Sequence, residues 1–580
     1  MAEMMSKYLK KLLFYIYAAL FLAIWVRLYL VQVRYHDLYS HYTEKQYRRV
    51  IKVEPYRGKI LTRDGTVLAE SLQVYSLYAD PKQYWSFYRD NSPQELARVV
   101  GVKNIHKILS RRDVRFVWIK RRLTDREVQE VKQLSKKVIS EGKKRGTLIP
   151  WFRLQKEFIR FYPEGELAGQ VVGITGFSTG NRYDGRGIAG IEATYNEFLK
   201  GKEETIVVTR DGSRLRRIMT SRIFLPERLN GLDVYTTIDA SLQDVVEEYL
   251  SEGVKRAGGK RGMAVVMDPH TGRILAMASY PFFNPNKRDR RNLKYMKNLV
   301  ISYGFEPGSV MKPFIVAGAL DDGKLSLHER FYAEEGRYLF GGIVIHDHEK
   351  YGWLSVPEII KYSSNIGMTK IGDKLGPEEV YRILRKFGFG MKTGIDLWGE
   401  NPGYLRHWKN WYPADLANIS FGQGLKVTLI QLVTAMSVIA NGGLLVRPYV
   451  VDRVVDSSGN IVYKNDPEIK GRVISEETAR IMRRVLHLVT EKGGTGTEAA
   501  LPEVSVAGKT GTAQKWVGEY TREVYTASFV GFLPSNDPEW VLGIVVDEPE
   551  KEIYGGTAAA PIFREIAREL IIRSGKLTLR

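Results

Sequence analysis

EPGSVMKPF, residues 306–314, runs on without a break into IVAGAL, residues 315–320. Its reading decides the C-terminal half of the chain. Pro307-Gly308 closes off what precedes it. An almost uninterrupted apolar run follows Ser309, which predicts a buried helix starting at or near the serine. Pro313 fits such a helix only within its first turn, which points to the same start. Residues three apart share a helix face, so Lys312 sits one turn above Ser309. A lysine in an apolar helix costs stability unless it has a task. Three effects suggest one. The helix dipole favours a developing alkoxide at its N-terminal end. Desolvation lowers the pKa of the amine and lets it be neutral. A neutral amine beside a hydroxyl is a general base beside a nucleophile. The spacing alone carries little, because Ser140 and Lys143 repeat it inside the polar stretch SEGKKRG. Burial separates the two pairs.

Two further elements lie downstream. Ser363-Ser364-Asn365 falls between helical patterns and can offer a hydroxyl and an amide to the same cleft. Its twin, Ser458-Gly459-Asn460, reads as a hairpin turn. Lys509-Thr510-Gly511-Thr512 falls on a strand, whereas Lys392-Thr393-Gly394 lies in a Gly-rich loop. Gly511, without a side chain, lets a ligand backbone approach the strand. Lys509 and the threonine hydroxyls can hold a carboxylate. Each motif is weak by itself. Their order, each on a suitable element, is much stronger, and it is the signature of penicillin-recognising serine acyltransferases.

Around these motifs the pattern is strands first, helices inserted, strands last. LDVYTTID (232–239) is a strand, Ala240 to Lys255 a helix, and AVVMD with RILAMAS a hairpin. Three strands follow near the C-terminus, at Ser505–Ala513, Thr526–Leu533 and Val541–Val546, and a helix starts near Pro561. This is an α+β domain with an antiparallel sheet flanked by helices, expected over residues 230–575. Residues 34–229 read as a mixed α/β pedestal. It opens with a hairpin at 57–71, has short strands such as Phe116–Ile119, helices at Asp125–Val138 and 188–201, and Gly-rich turns around Gly176–Gly190. No catalytic constellation appears there, so it reads as a dimerisation or docking region.

Leu12 to Val26 carries no charge, and apolar character resumes after Arg27 through Val33. Residues 12–33 therefore predict one bilayer-spanning anchor behind a short tail, 1–11. No small-residue cleavage site follows, which indicates an uncleaved signal anchor. Lysines precede the span, but Arg34, Lys45, Arg48, Arg49 and Lys52 follow it, so the charge count does not favour a cytoplasmic N-terminus. At 580 residues the chain exceeds a single core. The absence of cysteine excludes disulfides and thiolate chemistry. The net charge of +21 suits either an anionic environment or a generally basic surface. Lys287–Lys297 reads as a solvated loop, and no nucleic-acid-binding signature accompanies it.

Beyond these motifs the chain resembles class B penicillin-binding proteins nearly end to end. The resemblance is carried by RLYLVQV (27–33), RGKILTRDGTVLAES (57–71), GIAGIEATYNEFLKG (187–201), FEPGSVMKPF, SSNIG, SFGQG (420–424) and GKTGTAQK. YGGTAAAPIF (554–563) is more similar to the division-specific branch than to the elongation branch. One departure is Thr428-Leu429-Ile430-Gln431-Leu432, where the family has proline second; this alters a helix start and leaves the chemistry alone.

The resemblance implies a peptidoglycan D,D-transpeptidase without cofactor or metal. Ser309 would attack the D-alanyl-D-alanine bond of a stem peptide, and Lys312 would take its proton. Ser363, helped by Lys509, would relay a proton to the leaving amine. Asn365 would hydrogen-bond the donor peptide, and the strand carrying Lys509 to Thr512 would pair with it. Thr510 and Thr512 would bind its carboxylate, and the N–H groups of Ser309 and Thr512 would form the oxyanion hole.

The implied ligands and partners are lipid-linked nascent strands, β-lactams, a membrane-embedded glycan polymerase of the shape, elongation, division and sporulation family, and other divisome proteins, but no nucleic acid. Because crosslinking happens outside the cytoplasmic membrane, the large domain is expected there, against the charge count. The rival readings are an elongation-type enzyme, a hydrolytic carboxypeptidase or β-lactamase, and a β-lactam sensor or scaffold. A second base for hydrolysis is not identifiable, and only eleven residues precede the anchor. His346-Asp347-His348-Glu349 raises the possibility of a metal site, but adjacent strand residues point opposite ways, so it reads better as a polar edge near the cleft.

Overall fold

The computed structural model describes residues 2–40, 48–53, 55–176, 185–202, 204–209, 229–516 and 520–576. Part of the Gly-rich turn stretch, 177–184, lies outside them. The chain divides into two compact units, residues 1–55 with 201–230 and residues 56–200 with 231–580.

The first unit holds the N-terminal apolar helix. One helix, Ala2–Tyr29, continues through a π turn, Leu30–Arg34. It starts earlier than the apolar run because Lys7, Lys10 and Lys11 are good helix formers. Its large apolar side chains are exposed all round, Phe21 and Trp25 among them. Met4–Arg34 is unburied and long and apolar enough to cross a membrane, which suits lipid as its solvent. The same unit pairs Arg48–Val53 antiparallel with Glu204–Thr209.

In the second unit a five-stranded antiparallel sheet runs Ile274–Tyr280, Arg261–Met267, Trp540–Asp547, Tyr520–Leu533, Ala507–Trp516. Both faces are covered, so its strands read as continuous apolar runs with the two-residue alternation hidden. Ala264 and Val266 pack against helices Ala240–Ala257 and Ala560–Arg573. Met263, Val265 and Met267 join the larger core on the other face, with helices Lys312–Asp321 and Leu429–Ala440. The motif strand Ala507–Trp516 lies at the edge of the sheet, so one row of its backbone groups is left unpaired by sheet neighbours.

A second sheet of seven strands runs from Ile461–Lys464 through Val451–Val455, Asp233–Thr236, Ile60–Leu61 and Val67–Ala79 to Val117–Leu123, with Phe152–Phe161 also pairing Val67–Ala79. It joins strands from both sides of residue 230. Beside it, Glu192 accepts from Arg57 Nε and Arg160 Nε at 2.6 Å each, all three side chains being almost wholly buried. Burial pushes the Glu192 carboxyl up, but the Arg160 and Arg57 guanidiniums win and hold it below the usual carboxylate range. Two quoted motifs, RGKILTRDG and GIAGIEA, thus meet at one buried ion cluster.

Candidate active site

Ser309 lies in a 3₁₀ turn, Gly308–Met311, and Lys312 opens the α-helix Lys312–Asp321 with Pro313 in its first turn. The helix proper begins three residues later than the serine because proline tolerates only a helix start. In a 3₁₀ turn residues i and i+3 eclipse, so the serine and lysine are stacked more directly than in an α-helix.

Lys312 and Lys509 are both 0% exposed. Lys312 Nζ donates to Ser363 O at 2.6 Å and Asn365 Oδ1 at 2.8 Å, and lies 3.3 Å from Ser363 Oγ. Lys509 Nζ donates to Ser363 Oγ at 3.0 Å and reaches Thr510 O and Oγ1 at 3.3 Å. One hydroxyl therefore lies between two buried amines. Burial pushes Lys312 down to about 7 against a weaker upward pull from Asp347. Burial, then the charge of Lys312, holds Lys509 well below its ordinary value. With two carbonyl oxygens taking two N–H bonds of Lys312, its neutral form keeps a lone pair for a hydroxyl proton.

Ser363 owes its aim to its backbone. It ends helix Val356–Tyr362 in the left-handed region at φ 61°, a conformation of about 1–3 kcal/mol strain that clusters at working sites. Ser364 then caps helix Asn365–Leu375, its Oγ accepting from Gly367 N at 2.8 Å. Asp347 holds this turn from outside. Its carboxylate accepts from Ser364 Oγ at 2.6 Å, Asn365 N at 2.5 Å and Ile366 N at 3.1 Å. The His346–Glu349 stretch leaves its strand at His346 and borders the cleft. The work of Asp347 was not legible, since 17 residues separate it from Ser364 and no local period links them.

The motif strand packs directly on the serine turn. A Cβ at Gly511 would collide with Ser528 Oγ and lie 2.6 Å from Pro307 O and 2.8 Å from Val310 Cγ2. The space freed by this glycine is thus taken by the serine turn rather than by a ligand. On the other side Gly308 N donates to Gly422 O at 2.9 Å, so the SFGQG loop braces the same turn. Thr512 Oγ1 accepts from Gly555 N at 3.0 Å, which ties in YGGT, and Thr510 Oγ1 meets Thr495 Oγ1 at 2.8 Å.

Ser309, Ser363, Asn365, Thr510 and Thr512 line one cleft of about 980 Å³. The two lysines lie beneath it. The twins lie elsewhere: Ser140 and Lys143 are exposed at the end of helix Asp125–Lys143, Thr393 donates to Glu400 in a loop, and Ser458 and Asn460 close a turn on Asp456.

Residues 52–236 match the penicillin-binding protein dimerisation domain, and residues 262–568 match the penicillin-binding protein transpeptidase domain. The chain is 33% identical to the probable peptidoglycan D,D-transpeptidase PenA of Neisseria meningitidis, over 93% of this chain and 88% of that one. It is 31% identical to stage V sporulation protein D of Bacillus subtilis, over 98% and 86%. Among solved structures it is similar to penicillin-binding protein 3 of Mycobacterium tuberculosis complexed with aztreonam, at 26% identity and a TM-score of 0.68, covering 90% of this chain and 97% of that one.

Proposed function

The chain belongs to the class B penicillin-binding proteins, in which a dimerisation domain precedes a transpeptidase domain, and on that premise we propose that Ser309 is the nucleophile of a peptidoglycan D,D-transpeptidase. Ser309 Oγ attacks the carbonyl carbon of the penultimate D-alanine, and its proton passes to neutral Lys312. The N–H groups of Ser309 and Thr512 face the oxyanion. As the C–N bond breaks, terminal D-alanine leaves with a proton relayed through Ser363, whose hydroxyl Lys509 polarises. A second stem peptide's amine then attacks the ester and regenerates Ser309. The edge strand pairs with the donor, Asn365 bonds its backbone, and Thr510 and Thr512 receive its terminal carboxylate.

The observation that carries this reading is Ser363 Oγ, set between two fully buried amines at 3.3 and 3.0 Å. The test is Ser309→Ala labelled with a fluorescent penicillin. Labelling is expected to vanish while the unfolding transition is retained, and a labelled variant would remove Ser309 from its role.

The same reading assigns residues 12–33 as the anchor, 34–229 as the pedestal and 230–575 as the catalytic domain, the large part lying outside the cytoplasmic membrane. A division role beside a membrane-embedded glycan polymerase of the shape, elongation, division and sporulation family is supported by the YGGTAAAPIF segment.

A further inference from the structure

The cleft has a wall that the donor chemistry leaves unused. His348, Glu349, Tyr351 and Tyr362 line it, and Tyr554 faces them. The Tyr351 and Tyr362 rings stack at 5.3 Å with 15° between planes, immediately before Ser363. Across the cleft mouth His348 and Tyr554 meet edge to face at 5.9 Å. Glu498, the other carboxylate on the cleft, is paired with Arg564 at 3.3 Å, whereas Glu349 has no ion-pair partner among the described residues. No lysine or arginine side chain lines the cleft. A carboxylate without an ion partner and tyrosine rings, sharing a lining that holds no lysine or arginine, is the chemistry that recognises an ammonium ion.

The reaction brings one such ion. An alkyl amine is mostly protonated at neutral pH, so the acceptor arrives as a cation and must attack as a free amine. We propose that the Glu349 wall binds the acceptor stem peptide's ammonium group, with Glu349 as its ion partner and His348 as the group that takes its proton. This rests on the serine acyl-enzyme above. The nitrogen loses one proton to His348, which passes it to solvent. It then forms the C–N bond to the acyl carbon, the C–Oγ bond of Ser309 breaks, and the second proton returns to Ser309 Oγ through Lys312. His348 can accept because desolvation holds its imidazole below its ordinary value, against the opposite pull of Asp347 and Glu349.

The test uses the full-length protein in detergent, a D-alanyl thioester as donor, and two acceptors. Nα-acetyl-lysine amide is cationic at neutral pH, and hydroxylamine is uncharged. Glu349→Gln is expected to lower kcat/KM for the lysine acceptor by about tenfold, the weight of one charge-assisted contact, with hydroxylamine transfer within about twofold of wild type. His348→Gln is expected to move the pH profile of lysine transfer to higher pH and leave that of hydroxylamine in place. Equal losses with both acceptors, or none with either, would overturn the proposal. Penicillin acylation of the same variants keeps the outcomes separate, because it reports on Ser309 without an acceptor.

Discussion

Replacing Lys312 with methionine, similar in length but unable to ionise, separates the energetics of the site from its chemistry. Holding an amine of ordinary pKa 10.5 down at about 7 costs its protonated form on the order of 5 kcal/mol. Between those two values the unfolded chain binds the proton and the folded chain does not, so stability rises with pH. The penalty is complete below about pH 7 and gone above about 10.5. From pH 7 to 9 the wild type should gain about 2 kcal/mol from this group alone, with Lys509 adding in the same direction.

Lys312→Met removes that gain. It also takes an ammonium away from Lys509, which flattens the profile further. Against this, Ser363 O and Asn365 Oδ1 lose their donor, at about 1–3 kcal/mol each. The variant should therefore be near wild-type stability at pH 7 and clearly less stable at pH 9, while acylation falls about 10²–10⁴-fold. Urea unfolding of the full-length protein at both pH values, with penicillin acylation alongside, measures all three. An unchanged pH slope in the variant would refute a dry, depressed amine at position 312.

Gly511→Ala should destabilise by about 1–3 kcal/mol and cut acylation severely, because its Cβ falls between Pro307 O and Ser528; acylation within twofold of wild type would mean that the turn moves freely. Asp347→Ala should cost about 1 kcal/mol through the lost cap and slow acylation by releasing Ser364 and Asn365, with Asp347→Asn intermediate, and unaltered acylation in both would remove Asp347 from the site. Protease added to intact spheroplasts should digest everything beyond the anchor, and a tagged copy should gather at mid-cell; protection, or side-wall labelling, would contradict the orientation or the division role respectively.

What was legible in the sequence was local. Helix Ala240–Ala257 carries its own signals, with Asp239 capping Leu242 N at 3.0 Å and Gly258 left-handed at φ 68°. The three C-terminal strands were legible as apolar runs between turns. What failed depended on distant partners. Residues 188–201 read as one amphipathic helix, yet the chain forms a short strand, Gly187–Ala189, then two helical pieces, Gly190–Thr194 and Asn196–Leu199. The break falls at Tyr195, whose hydroxyl donates to Asp396 Oδ2 at 2.8 Å, 201 residues away. A tertiary bond that long leaves no trace in a 3.6-residue period. The decoys teach the same rule in reverse, since Lys392-Thr393-Gly394 has the right letters and differs only in lacking a sheet edge beside a serine turn.

The departure at Thr428-Leu429 fits the same logic. Without proline to start it, helix Leu429–Ala440 is opened by a capping box, Thr428 N donating to Gln431 Oε1 at 2.9 Å and Gln431 N to Thr428 Oγ1 at 3.4 Å. The box does more than start a helix. The residue before it, Val427, exchanges two 2.9 Å backbone bonds with Phe305, four residues ahead of Ser309. Gln431 Nε2 also reaches Met391 O at 2.7 Å and Pro402 O at 2.9 Å. The serine turn is thus held through backbone bonds by Val427 behind and Gly422 beside, and it packs on Gly511 beneath. On the roles proposed for Ser309 and Lys312, a nucleophile whose base works only when dry needs that rigidity, because a small opening of the turn would admit water to Lys312, restore its charge and end its ability to take a proton.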